Sequence, residues 1–343
     1  MAEAERLIYR WDLDKTYLRT EFDTVRDLIR TAFEPASQKR AFPGAGALLR
    51  EIRGTDPAGI FILSGSPEQM RRVLEAKLRL DGIRWDSFTL KPSLKNALRG
   101  RFRFLRDQVG YKLASLLQSR ADLDASTEEV LFGDDAEADA FIYSLYADIC
   151  AGRVGPETLI AVLERARVYS EDIPALVRMD DRVPRHPTVE HIFIHLERVS
   201  PVSGFSEFGR RVCPFYNYFQ PALVLVQSEV LAGTAALRVG AEIVGAHAFS
   251  PDTLIASTMD LARRGYVDRR AAERILEGVA TTHGQRVIGV APLLGDYAQQ
   301  LEKRLGDFEP IAPLEVAPID YVGLFSRDKA RARAARHRAR SRR

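Results

Sequence analysis

The sequence predicts an α/β fold in which a parallel sheet is flanked by helices, and two observations carry this. From the start of the chain to about Ala151, short apolar runs of strand length alternate with longer stretches whose apolar residues recur at helical spacing. Several of the short runs end in Asp, Ser or Gly-Asp, residue types suited to the rim where the carboxyl ends of parallel strands meet their ligands.

In chain order, residues 7–11 read as a strand ending at Asp12. Arg10 sits inside that strand and requires a carboxylate partner, because an unpaired buried charge is costly. Residues 43–53 form a helix, with Pro43 at its start and Leu48, Leu49 and Ile52 as an apolar stripe. The run GIFILS at 59–64 is a buried strand, 68–80 an amphipathic helix, and 87–90 a short strand. Residues 111–119 are helical, 130–132 form a strand, and a further helix follows from about Ala136 to Cys150.

After Gly152 the pattern turns mostly helical, over 155–168, 171–178, 220–248, 250–264, 268–282 and 293–305. Ser250-Pro251 reads as an N-cap and first turn. The run VEHIFIHL at 189–196 fits strand or helix equally well. The expected organisation is an α/β catalytic domain over 1–152, a mostly α-helical C-terminal domain over 153–326 and a basic, disordered tail over 327–343.

The 343 residues are 46% hydrophobic and 28% charged, enough apolar material for a sizeable core. No uninterrupted apolar run is long enough for a transmembrane segment, and the first residues lack the pattern of a secretory signal. Two cysteines far apart exclude a disulfide framework and a zinc-finger pattern, so a cytoplasmic location is expected. The net charge of +3 is unevenly spread, since residues 327–343 carry nine Lys or Arg and one Asp. That tail suits peripheral contact with an anionic membrane or a nucleic acid, or simple solubilisation; the rest of the chain is mildly acidic and unlike a nucleic-acid binder.

Four motifs carry chemistry. Asp12-Leu13-Asp14-Lys15-Thr16 follows the first strand: one carboxylate can attack phosphorus while its neighbour two residues on works as general acid and base, and the Thr16 hydroxyl fixes the loop. Ser64-Gly65-Ser66-Pro67 ends the second strand, where a hydroxyl and small residues let backbone N–H groups approach a phosphate. Lys112, one of only eight lysines, supplies a point charge near the start of a helix, with Lys91 and Lys95 as rivals. Phe132-Gly133-Asp134-Asp135, with Asp139 beyond, ends another strand in carboxylates that can bind Mg²⁺ or cap the next helix.

In this order the motifs resemble those of the haloacid-dehalogenase-like (HAD) superfamily of phosphohydrolases. Within it, Phe42-Pro43-Gly44, Leu63-Ser64-Gly65-Ser66-Pro67 and the Gly-Asp-(x4)-Asp spacing are similar to the catalytic domain of actin-patch-associated, lipin-related phosphatidate phosphatases. The resemblance covers roughly residues 5–150 and implies a HAD-like Rossmannoid sheet and an Mg²⁺-dependent phosphatase forming an aspartyl-phosphate. Asp12 would be nucleophile and Asp14 general acid/base. Ser64, with Gly65, Ser66 and Thr16, would hold the phosphoryl group and Lys112 would steady it. Asp12, Asp14 through its carbonyl, Asp134 and Asp139, less directly Asp135, would serve the metal. The implied substrate is a phospholipid or a phosphorylated small molecule. A nucleic-acid end, and a non-catalytic binding protein that keeps the fold, stay open as alternatives.

Other signals are weaker. His186, His191 and His195 lack the pattern of a zinc protease and read as packed or surface histidines, and the aromatic run 213–219 reads as core. The arginines around Gly265 read as an exposed charged face. The insert 17–42 is the stretch placed to cover the site.

Overall fold

A computed structural model describes residues 7–19, 39–91, 104–247, 249–284, 291–312 and 317–324. The basic tail, Lys95 and most of the 17–42 insert lie outside them. Six strands form one parallel sheet: β1 (Ile8–Asp12), β2 (Gly59–Pro67), β3 (Ser87–Lys91), β4 (Glu129–Asp134), β5 (Val189–His195) and β6 (Val212–Phe215). Their order is β3-β2-β1-β4-β5-β6. Strand order therefore reverses between β1 and β4, and a crevice opens at such a reversal, outside the carboxyl ends of the strands.

Helices cover both faces. On one side lie α1 (Ala45–Arg53) and α2 (Arg71–Leu80). They share a core with α7 (Phe219–Gln227), α8 (Gly233–His247), α9 (Pro251–Arg263), α10 (Arg269–Gly284) and α11 (Ala291–Glu302). On the other side lie α3 (Phe104–Arg120), α4 (Asp139–Cys150), α5 (Pro156–Arg165) and α6 (Ile173–Asp180). Residues 319–324 close over this second core.

The α/β class holds, and the C-terminal half is mostly helical as expected. The sheet does not stop at residue 152, however. Residues 189–195 add β5 to the edge of β4, and residues 212–215 add β6 beyond it. The strand-or-helix ambiguity at 189–196 resolves as strand. The aromatic run 213–219 is mostly core: Phe215, Tyr218 and Phe219 are buried.

Strand pairing explains the core's centre. Trp11 pairs with Phe132 and Phe132 with Phe193, so three rings line up across neighbouring strands. Trp11 and Phe132 stack at 3.8 Å between centroids, and Phe132 and Phe193 at 4.8 Å. Arg10, on the opposite face, finds its carboxylate in Glu129, with Nε–Oε2 at 2.9 Å and Nη2–Oε1 at 3.0 Å. Arg120 and Tyr146 also donate to Glu129, at 3.3 and 2.7 Å. Burial raises the Glu129 carboxyl, but Arg10 and these donors outweigh it and hold it below its ordinary range.

Candidate active site

Asp12 ends β1 and Asp134 ends β4, the two strands that flank the reversal in strand order. Both are buried at the carboxyl rim, together with Asp139 and Lys112. Four carboxylates converge there: Asp12, Asp134, Glu137 and Asp139 each place an oxygen within 4.8 Å of the others. Lys112 enters from α3, its Nζ 3.1 Å from Asp12 Oδ1, 2.7 Å from Glu137 Oε2 and 2.5 Å from Asp139 Oδ1.

Each side chain is held by local structure. Asp134 Oδ1 accepts from the N–H groups of Ala136 and Glu137 at 2.6 and 2.9 Å, which turns the chain toward α4 and leaves Oδ2 without a partner. Asp139 Oδ2 accepts the Asp134 N–H at 3.2 Å. Gly133 permits this approach, because a Cβ there would lie 2.4 Å from Asp139 Oδ2 and 2.6 Å from its Cβ. Thr16 Oγ1 donates to Asp12 Oδ2 at 3.3 Å. Lys15 adopts a left-handed conformation at φ 59°, folding residues 13–18 back on themselves.

Asp14 stands apart from the four acids. Its Oδ2 accepts from Ser64 Oγ at 2.6 Å and Ser66 Oγ at 2.9 Å. Its other carboxylate oxygen, Oδ1, is buried without a hydrogen-bond partner. Tyr111 donates to the Ser64 carbonyl at 3.1 Å. Gly65 is exposed, and a Cβ on it would meet nothing within 4 Å, so the backbone of this turn is open to a ligand.

Electrostatics follow from burial and crowding. Burial pushes the Asp12 and Asp134 carboxyls well above their ordinary range, and repulsion from Asp139 and Glu137 adds to it, while Lys112 opposes it. Burial also raises Asp14, against hydrogen bonds from Ser64 and Ser66, and pushes Asp139 up to about 6. For Lys112, burial works against the charge, but the three surrounding acids outweigh it and raise its pKa. One ammonium stands among four carboxylates, three of them buried and Glu137 half-buried, so their full ionisation would leave negative charge uncompensated. Asp134 Oδ2, buried and without a hydrogen-bond partner, and Asp12 Oδ1, buried beside the Lys112 ammonium, are oxygens of the kind a hard divalent cation takes.

The structure thus brings Asp12, Thr16, Lys112, Asp134 and Asp139 together, with Asp14, Ser64 and Ser66 alongside. Asp135 turns away: its carboxylate accepts the N–H groups of Arg198 and Ser200 at 2.8 and 3.0 Å. The rival Lys91 ends β3, at the far edge of the sheet. Sequence reasoning passed over Glu137, although its place between Asp134 and Asp139 was a usable signal. His195, read as a packed or surface histidine, and Tyr218, read as core, are both buried and both reach the site's loop: His195 Nδ1 lies 3.2 Å from the Lys15 carbonyl, and the Tyr218 hydroxyl donates to the Thr16 carbonyl. These two contacts tie β5 and α7 to the Asp-x-Asp loop. His186 is exposed and His191 bonds Ser228 at 2.9 Å, so neither reaches the acids.

The stretch that holds this site matches a family of phosphoric monoester hydrolases. More particularly, residues 11–159 match the family model described as phosphatidate phosphatase APP1, catalytic domain, a HAD-like and lipin-related family. The matched stretch ends before β5, so two of the six strands lie beyond it. No curated protein and no solved structure matches the chain.

Proposed function

We propose that this protein is a Mg²⁺-dependent phosphatase that hydrolyses phosphatidate through an aspartyl-phosphate on Asp12. The observation that carries the proposal is the convergence of four carboxylates and Lys112 at the switch point of the sheet, within a stretch matching a phosphatidate phosphatase family.

Asp12, Asp134 and Asp139, with the carbonyl of Asp14, would hold Mg²⁺, and Glu137 adds a fourth side chain. When bound, the ion supplies positive charge between the nucleophile and the phosphate oxygens. The remaining chemistry belongs to the chain. A carboxylate oxygen of Asp12 attacks phosphorus, and the bond to the diacylglycerol oxygen breaks. Asp14, whose carboxyl burial keeps protonated more readily than usual, gives its proton to that departing oxygen. Lys112, the Ser64 hydroxyl and the open backbone at Gly65 hold the phosphoryl oxygens as charge builds on them. Asp14, now ionised, takes a proton from water; the water oxygen bonds to phosphorus, and Asp12 and inorganic phosphate are released.

Phosphate release should be measured from phosphatidate in mixed micelles, a sugar phosphate and a 5′-phosphorylated oligonucleotide, each with Mg²⁺ or with chelator. The expected outcome is release from phosphatidate that chelator abolishes and Mg²⁺ restores. Faster release from either soluble substrate would refute the lipid assignment. Activity indifferent to chelator would refute the metal.

A further inference from the structure

A cavity of about 470 Å³ lies on the α1–α2 side of the sheet, whereas Lys112 reaches the acidic cluster from α3 on the other side. Five cationic side chains line it: Arg19, Lys39 and Arg40 from the ends of the 17–42 connection, Arg50 from α1 and Lys77 from α2. Among the described residues two carboxylates, Asp81 and Glu242, also line it.

Both carboxylates are engaged in building the walls. Asp81 accepts from Lys77 Nζ at 2.6 Å on Oδ1 and from the Tyr17 hydroxyl at 2.6 Å on Oδ2. Arg50 donates to the Asp81 carbonyl at 2.8 Å and to Glu242 at 2.5 Å. Arg50 and Lys77 are therefore fixed in advance, and the charge they bring is balanced. Arg19 and Arg40 are exposed at the mouth, with the Arg19 guanidinium 5.4 Å from the centre of the Phe42 ring. A Cβ on Gly46 would lie 3.1 Å from Arg50 Nη1, so the glycine lets that guanidinium pack closely against α1. Arginines around a concave surface match a tetrahedral, multiply charged oxyanion better than a single carboxylate.

We propose that this cavity is a second anion site, separate from the acidic cluster, that takes a phosphate-bearing group, either a phospholipid headgroup or free phosphate. It shares its wall with the Asp-x-Asp loop: the Tyr17 N–H donates to the Leu13 carbonyl at 3.0 Å and the Phe42 N–H to the Tyr17 carbonyl at 2.8 Å. An occupant would brace the segment that carries Asp14.

The test is titration calorimetry with inorganic phosphate, without divalent cation, on the full chain, on Asp12→Asn and on the Arg19→Ala/Arg40→Ala double variant. A second titrant, a short-chain phosphatidylglycerol kept below its micelle concentration, distinguishes the sources. Wild type and Asp12→Asn should bind one phosphate with equal affinity, and the double variant should bind on the order of tenfold more weakly or worse at an unchanged thermal midpoint. Tighter binding of the lipid than of phosphate, lost in the double variant, identifies a headgroup site; the reverse order identifies a free-phosphate site. Equal phosphate affinity in wild type and double variant would overturn the proposal, as would failure of wild type to bind either titrant. Neither result bears on hydrolysis at Asp12.

Discussion

Gly133 illustrates how closely single residues constrain the acidic cluster. The strand ending in Gly-Asp was legible in the sequence as a metal motif. The reason for the glycine was not, because it lies in the approach of Asp139 from the next helix. Gly133→Ala should displace Asp139, and Mg²⁺ affinity measured by calorimetry should fall by on the order of tenfold or more. Wild-type affinity would contradict the assignment of Asp139 to the metal. Glu137 was missed for a related reason. Acids in a helix-starting turn ordinarily serve as caps, and only the folded arrangement shows Glu137 facing Lys112. His195 offers a pH test. Burial pulls it down to about 4 from its ordinary 6.5, although the Lys15 carbonyl opposes this. Between those values the unfolded chain binds the extra proton and the folded chain does not, so stability rises with pH across the window and is lost as pH falls toward 4. His195→Asn, which can still donate to the Lys15 carbonyl, should flatten the pH dependence of chemical denaturation between pH 4 and 6.5. An unchanged slope would contradict this account of His195.

At the scale of elements, β4 carries the two ends of the argument. Its first residue, Glu129, pairs with both Arg10 and Arg120 inside the molecule, and its last, Asp134, faces the site. The sequence required a carboxylate for Arg10 but could not identify it, since the pairing spans 119 positions. Glu129→Gln leaves two buried guanidinium groups without their counter-charge. It should destabilise the fold by about 3–5 kcal/mol in urea denaturation, and a loss below about 1 kcal/mol would show the network to be dispensable. β5 stayed ambiguous between strand and helix because a strand buried on both faces shows no alternation, and residues 189–196 are short and apolar on either reading. β1, β2 and β4 were legible because each apolar run stops at a residue with evident rim chemistry. Helices α1, α2 and α9 were legible from their periodicity and their Pro or Ser starts.

For the molecule as a whole, the sequence divided the chain near residue 152, where composition changes, while the sheet runs on through β5 and β6. Long-range strand pairing leaves no mark at a composition boundary. We propose that the stretch matching the family model is not an independent folding unit, because the edge of β4 and the face under Trp11, Phe132 and Phe193 are covered by later residues. A fragment ending at residue 159 should be insoluble or molten by near-ultraviolet circular dichroism, whereas one ending at residue 324 should unfold cooperatively; a cooperative 1–159 fragment would contradict this proposal. Tyr218 and His195 reach the loop of Asp12 from beyond that boundary and tie it to the larger unit. The measurement closest to the central claim is Mg²⁺-dependent phosphate release from phosphatidate by wild type and Asp12→Asn side by side. Turnover should fall by on the order of 10⁴ in the variant with its thermal midpoint retained, and turnover at the wild-type rate would contradict the account.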